Sequence, residues 1–312
     1  MRLLPCGYSV LGVHIAILSR SRFIFSTRRL IEAAKERGHD LTVINTLACA
    51  LVMVNGKFTM LHHGEPLEKP DVVIPRIGTS VTEYGMSVVK QFELMGVPVL
   101  NNRRAIALSR DKLRAAQFMA SAGLATPPTV ALRDPAGLES LVDQLGGPPV
   151  IVKPVRGTQG VGVMLMESVE SIRAISETMW GLGQNFVMQK FIAEARGRDI
   201  RAFVVGRTVV AAMRRVSNTR DFRANIHRGG RGEPITLPRA YAQLAVKAST
   251  KMGLEVAGVD LLETRLGPML LEVNSSPGLE GIERYTGVNV AAAIIKRAEH
   301  LSKQRVRRDM TG

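Results

Sequence analysis

The most constraining stretch of this 312-residue chain is Met269-Leu-Leu-Glu-Val-Asn-Ser-Ser-Pro-Gly278, read with Val259-Asp-Leu-Leu-Glu263 just before it. Asp260, Glu272 and Asn274 interrupt runs that are otherwise apolar. Acidic side chains are poor strand formers and are rarely buried unless paired or bound to a cation. Side chains alternate along a strand, so Glu272 and Asn274, two apart, share a face. Thr264-Arg-Leu-Gly267 suits a hairpin turn, which would lay the two strands side by side and bring the three oxygen-bearing groups together. Hard oxygen ligands without a dedicated calcium loop suit magnesium held jointly by protein and phosphate. The bland alternative is a hairpin whose acids face water, and the Leu and Val on both faces argue against it.

A chain of this length has room for two or three domains around that hairpin. No stretch approaches the roughly 20 apolar residues that cross a bilayer, so no membrane partner is expected. Cys6 and Cys49 form no metal-ligand pattern and favour a reducing compartment weakly, which suits a cytoplasmic protein. The formal net charge of +15 points to an acidic partner. Aromatic residues make up only 4% and do not interleave with the basic ones, which disfavours a direct nucleic-acid platform.

From the start, residues 1–12 read as an extension. The arginines before Glu32 resemble a transit peptide, but Val13-His-Ile-Ala-Ile-Leu-Ser19 reads as a buried strand. A helix over 26–37 and a strand at 40–45 complete a β-α-β unit, so cleavage there is rejected. Alternating strands and helices make 13–108 an open α/β domain. Arg76 falls at the carboxyl end of the strand beginning at Asp71, where open α/β sheets bind ligands. The pattern then predicts helices at 111–122 and after Asp134-Pro135, a strand at 149–154 carrying Lys153, and a helix capped by Ser168. A strand at 186–192 follows, then a hairpin over 200–215 turning at Gly206-Arg207, a helix at 239–252 and a last helix at 288–304 with a frayed basic tail, 305–312.

Gly157-Thr-Gln-Gly-Val-Gly162 is the second feature with chemistry in it. It lacks the Lys-Ser/Thr that ends a Walker loop, and its glycines fall as G-x-x-G-x-G. It joins strand to strand, so no helix amino-terminus receives a phosphate. A glycine hairpin can still close over phosphates with its backbone N–H groups, and Lys153 on the preceding strand strengthens that reading. No serine elbow or Cys-His pair is present, so a hydrolase is not supported.

Lysine strand, glycine hairpin, hinge strand and D…E-x-N hairpin, in that order, resemble the ATP-grasp fold. The strings Pro75-Arg-Ile-Gly-Thr79, Arg110-Asp-Lys-Leu-Arg114, Asp221-Phe-Arg223, His227-Arg-Gly-Gly230, Ala257-Gly-Val-Asp260 and Glu272-Val-Asn-Ser-Ser-Pro-Gly-Leu-Glu-Gly-Ile282 are similar to those of the RimK family, ATP-dependent α-L-glutamate ligases of a ribosomal small-subunit protein. The likeness spans about 13–300. It implies an α/β (α+β) ATP-grasp fold behind a pre-ATP-grasp domain, with a small subdomain at 109–190 and a metal-bearing subdomain at 191–304.

The resemblance further implies a cytoplasmic ligase, expected to be a homo-oligomer, that uses ATP and two Mg2+ ions, for which Mn2+ can substitute. It would join L-glutamate to an acidic protein C-terminus through an acyl phosphate. Asp260, Glu272 and Asn274 would hold the metal. Lys153, Gly157, Thr158, Gln159, Gly160, Gln189, Lys190, Phe191, Asp199, Arg223, Ala224 and Asn225 would bind ATP. Arg223, Asn225 and Arg228 would act at the acyl phosphate, and Arg76 on a substrate carboxylate. Two residues depart from the family pattern: Lys190 stands at a hinge position where relatives often carry Glu, and Arg156 precedes the glycine loop where an acid is common. The alternatives are a related ligase acting on a carrier protein or small cofactor, and a nucleotide-binding regulator without catalysis.

Overall fold

The computed structural model describes residues 12–78, 82–157, 160–218, 222–224 and 229–311, with side chains as far as residue 304. Its first layer is a parallel sheet. Strand β1 (His14–Leu18) leads through helix α1 (Phe25–Glu36) to β2 (Asp40–Ile44). A three-stranded antiparallel unit follows: β3 (Cys49–Val54), β4 (Lys57–His62) and the short β5 (Glu65–Pro66). Then β6 (Val72–Pro75) returns to the other side of β1, giving the order β2-β1-β6. The connections leave β1 in opposite directions, so the crevice at its carboxyl end is a topological switch point.

Helix α2 (Thr82–Leu94) covers this sheet with Val88, Val89 and Phe92, and α3 (Arg103–Arg110) and α4 (Lys112–Ser121) lead out of it. The second sheet contains β7 (Thr129–Val130), β8 (Val150–Pro154), β9 (Met164–Met166) and β10 (Phe186–Lys190), in the order β7-β10-β8-β9. Helices α5 (Leu138–Gln144) and α6 (Val169–Gly181) bury Leu138, Val142 and Ile172 against it. The third sheet takes β11 (Arg198–Val205), β12 (Thr208–Val216) and β13 (Arg231–Pro234). Helix α7 (Arg239–Lys251) then leads to β14 (Val256–Thr264) and β15 (Gly267–Asn274), giving the order β13-β12-β11-β14-β15. Helices α8 (Glu280–Thr286) and α9 (Val290–Thr311) close the chain.

The two faces of the third sheet do different work. Ile200, Ala202, Val259, Leu261 and Val273 pack on Ala245 and Ala248 of α7. Phe203, Val205, Met213 and Val256 face the other way, onto a core shared with Ile15 and Ile17 of β1 and Ile294 and Ile295 of α9. Asn101 stitches the first layer to this sheet. Its Nδ2 donates to the carbonyls of Val256 (2.7 Å) and Ser275 (2.8 Å), and its Oδ1 accepts from the N–H groups of Glu255 (2.6 Å) and Val256 (2.9 Å).

Several sequence expectations need correction. The β3–β4 hairpin was not expected, although Asn55-Gly56 at its tip is a strong turn signal. Helix α3 was also not foreseen. Asp134 caps a local turn, accepting from Ala136 N at 2.8 Å, and α5 begins only after Gly137. Val99 adds an isolated parallel bridge to Val73 beside β6. The last helix, expected over 288–304, is α9, which runs on to Thr311 in place of a frayed tail, and the short α8 before it is additional.

Candidate active site

The β14–β15 hairpin is irregular where it matters. The turn at Arg265-Leu266 sets Thr264 opposite Gly267 and Leu261 opposite Leu270. A regular ladder would continue with Leu271 opposite Asp260. Instead the register shifts between Asp260 and Leu261, Leu271 is left unpaired, and Glu272 faces Asp260. Such a bulge re-aims every later side chain to the opposite face. Glu272 and Asn274 therefore join Asp260, while Leu270 and Val273 both stay in the core under α7.

These groups extend a polar row across three further positions of the same face. Arg215 Nε and Nη2 donate to the two oxygens of Asp199 (2.6 and 2.7 Å), and Nη2 also reaches Asp260 Oδ2 at 2.9 Å. Arg201 grips Asp260 through Nε and Nη2, both at 2.7 Å. Asp199, Arg215 and Asp260 are buried. Burial alone would raise the Asp260 carboxyl, but the two arginines outweigh it and hold it below the usual range. For Asp199 burial prevails over Arg215, and its carboxyl is raised.

Beside this row, Glu272 makes no hydrogen bond or ion pair with any described residue, and Asn274 uses only Nδ2, toward Gly258 O at 3.4 Å. One carboxylate and one amide oxygen are thus left available at the end of the row. Gly258 makes this possible: a Cβ there would stand 2.8 Å from Pro277 Cβ, inside contact distance.

The facing wall comes from the second sheet. Lys153 on β8 donates from Nζ to Gln189 Oε1 (2.6 Å), and Gln189 Nε2 donates to Thr129 Oγ1 (3.0 Å). Lys153, Gln189 and Thr129 line one cleft together with Lys112, Leu270 and Glu272. Burial pulls the Lys153 ammonium down to about 8, with Glu272 opposing that shift and Lys112 adding to it. A buried cation without a bonded carboxylate on one wall thus faces an unpaired carboxylate on the other.

The glycine loop bridges the walls. Gly162 has φ +72°, and a Cβ on it would stand 2.7 Å from Pro154 Cγ. Lys112 Nζ holds the Gly157 carbonyl at 2.8 Å, and Arg223 Nη1 holds those of Gly160 and Val163, each at 3.2 Å. The Arg223 guanidinium also stacks on Phe222, whose ring meets Phe191 edge-on. The hinge strand β10 is thereby linked to the loop. Thr158, Gln159, Asn225 and Arg228 lie outside the described residues. Ala224 is buried beside Arg223. The Lys190 ammonium lies 3.2 Å from where a Cβ on Gly146 would stand, against the carboxyl-terminal turn of α5. Arg156 is exposed at the mouth of the loop. Arg76 donates from Nη2 to Pro277 O (2.8 Å) and has no carboxylate partner among the described residues, so burial lowers it to about 10.

Two family models match this chain: a RimK pre-ATP-grasp domain over residues 13–106 and a RimK-like ATP-grasp domain over 109–298. The chain belongs to the RimK-like ATP-grasp family. It is an ATP-grasp ligase. Similar relatives include a probable alpha-L-glutamate ligase of Pseudomonas fluorescens, 48% identical over 93% of this chain and 95% of that protein. One of the same description from Stenotrophomonas maltophilia is 48% identical over 93% and 99%. Among solved structures, the ATP-grasp ligase PsnB with its minimal precursor superposes with a TM-score of 0.72 at 21% identity, covering 92% of this chain and 99% of that one. D-alanine–D-alanine ligase of Bacillus anthracis with ATP gives 0.64 at 16% identity, covering 96% and 100%. These two likenesses speak for the fold.

Within this RimK-like ligase, sequence reasoning passed over four residues that shape the site. Lys112 stands only inside a matching string, Arg201 carries no signal of its own, and Arg215 reads as one of a basic stretch from Arg214 to Arg231, a solvated loop or phosphate-site arginines, with no sign that it pairs with Asp199. Asn101, one of two adjacent asparagines, carries no local signal for its four hydrogen bonds. An arginine two residues after Asp199 on the same face was the one clue to an ion row.

Proposed function

We propose that this protein is an ATP- and magnesium-dependent ligase that adds L-glutamate to the C-terminal carboxylate of a small-subunit ribosomal protein. The observation that carries the reading is the opposition of Lys153 and the unpartnered Glu272 across one cleft. The relatives described as probable alpha-L-glutamate ligases support glutamate as the amine.

The donor set fits a hard cation. Glu272 and the Asn274 carbonyl oxygen are available, and Asp260, with three of its lone pairs committed to arginines, keeps one for sharing. Magnesium held there would neutralise charge on the phosphates. Lys153 and Lys112 would meet phosphate oxygens as point charges. Asp199 keeps a second lone pair on each oxygen for a ribose hydroxyl, and the segment from Gln189 to Phe191, where β10 ends, would line the adenine, with the Phe191 backbone past the strand free of the ladders. Lys190 lies against α5, so its departure from the family pattern leaves a backbone-read base intact.

In the reaction, an acceptor carboxylate oxygen attacks the γ-phosphorus and ADP leaves with the bridging oxygen. The glutamate amine then attacks the acyl carbon, loses a proton and expels phosphate, forming the amide. Arg223, positioned on the loop, would stabilise the charge that builds on the transferred group, together with Asn225 and Arg228. Closure of Gly157–Gly162 excludes water that would hydrolyse the acyl phosphate. Arg76, a buried cation lacking an acid, would hold a substrate carboxylate.

Mass spectrometry of ribosomal proteins after incubation with enzyme, ATP, magnesium and glutamate tests this. A mass increase of whole glutamate residues, mapped to the carboxyl terminus of one protein of the small ribosomal particle, is expected. ADP release with a different amino acid only, or with a carrier protein or small acid only, would replace the assignment by the related ligases. No release with any amine would point to a nucleotide-binding regulator.

A further inference from the structure

The carboxyl edge of the first sheet carries a surface that ATP binding and ligation chemistry do not use. The loop after β1, Arg20-Ser-Arg-Phe-Ile24, is held in shape from within: Ser19 Oγ donates to Ser21 O (3.1 Å) and bonds Thr27 Oγ1 (2.8 Å), and Phe23 N donates to Ser21 Oγ (3.1 Å). This ordered loop nonetheless presents Phe23 to solvent at 83% exposure, with Ile24 also exposed. The turn after β2, which begins where Ser19 N donates to Ile44 O (3.0 Å), exposes Leu47 at 58%. Exposed apolar side chains grouped together and rimmed by polar ones mark interaction sites, and aromatic residues are enriched there.

The loop itself carries only positive charge, with Glu280 the nearest exposed acid beyond Ser26. Arg20 and Arg22 are exposed and make no ion pair with any described residue, whereas the nearby Arg28 and Arg29 are offset by Glu32 and Glu283. The surface also continues into the site. Arg76 N bonds Leu18 O (2.8 Å) at the end of β1, Arg76 Nη2 reaches Pro277 O, and Leu279 N donates to Ser26 Oγ (3.0 Å). The loop that follows Glu272 and Asn274 therefore meets the first turn of α1, two residues past the Arg20–Ile24 loop.

We infer that the Arg20–Ile24 loop, with Leu47, is the docking ledge for the acceptor: an acidic polypeptide tail with an apolar residue seated on Phe23, its carboxylates on Arg20 and Arg22 and its terminus led toward Arg76. This rests on the reading of the protein as a ligase of an acidic protein terminus and adds where that tail is recognised. Arginine clusters recognise acidic segments through charge-assisted pairs, and an aromatic anchor supplies the apolar contact.

The test separates docking from chemistry. A fluorescein-labelled peptide of glutamates with two leucines and a free C-terminus is titrated against the full chain by anisotropy, without nucleotide. The wild type should bind, and binding should weaken as salt rises. The double variant Arg20→Glu/Arg22→Glu should bind roughly tenfold more weakly, and Phe23→Ala several-fold more weakly, with melting temperatures unchanged as the check on folding. In ligation assays the same variants should raise the acceptor KM far more than they lower kcat. Equal affinity in wild type and variants, a lysine-for-glutamate peptide binding as well, or a short RNA of equal charge binding more tightly at this loop would overturn the ledge. Peptide bound through the loop but never glutamylated would instead count against the ligase assignment and leave the ledge standing.

Discussion

The two walls of the cleft are built on opposite principles. On the third sheet, Arg215, Asp199, Arg201 and Asp260 form a cross-braced row in which every charge has a partner on its own or a neighbouring strand. On the second sheet, Lys153 leans on one neutral side chain, Gln189, and the glycine loop that follows is tied by its carbonyls to Lys112 and Arg223. The first wall is already satisfied and its strands are locked; the second has a buried cation waiting for an anion. Under the proposed reaction that asymmetry is useful, because a rigid platform fixes geometry while an under-satisfied partner binds.

The largest expected effect lies where the platform meets the cleft. Glu272→Ala should cut ligation by roughly a thousandfold while leaving the melting temperature within a few degrees, since Glu272 bonds no described residue. Near-normal turnover would break the metal assignment. Next comes the contrast itself. Arg215→Ala leaves the buried Asp199 without its ion-pair partner, beside an Asp260 held by Arg201 alone, and should cost about 3–5 kcal/mol in urea unfolding. Lys153→Met should abolish turnover yet leave stability equal or higher, because it removes a buried charge without a counter-ion. If Lys153→Met destabilises as much as Arg215→Ala, the two walls are not different in kind.

Smaller effects sharpen the picture. Gly258→Ala drives a methyl into Pro277 and should cost about 1–3 kcal/mol. It should also raise the magnesium needed for half-maximal rate, because Asn274 bonds that residue's carbonyl. An unchanged magnesium requirement would separate the bulge from the metal. The smallest is a pH effect far from the cleft. Arg37 grips Glu299, which also bonds His39 at 2.6 Å; burial opposes these partners but they prevail, lowering Glu299 from 4.5 to about 2. A depressed carboxylate contributes stability above its unfolded pKa and loses it on acidification. Stability should therefore fall between about pH 4.5 and pH 2, and Glu299→Gln should flatten that limb in unfolding titrations.

Much of the architecture was legible locally. The Lys153 strand, the Ser168 cap, the Gly206 turn and the α7 stripe follow from periodicity and capping, which act over a few residues. The β3–β4 hairpin was missed because a β-α-β rhythm was extended over an Asn-Gly turn that contradicts it. The ion row escaped for a different reason. Arg201 and Arg215 lie far in sequence from one another and from Asp260, and only antiparallel pairing of β11, β12 and β14 makes them neighbours. Arg76 was placed by its strand end alone, but its lack of an acid shows only once the loop around Pro277 closes over it.

By itself the sequence determined that Glu272 and Asn274 share a face, that Asp260 lies on the adjoining strand, and that a short turn joins them. Taken alone, that turn would set Asp260 opposite Leu271 and send Glu272 to the core side. Only the tertiary structure decided otherwise: the α7 face needs both Leu270 and Val273, and satisfying both forces the extra residue at Leu271. Burial of those two apolar side chains on one face is what turns three scattered oxygens into one candidate site.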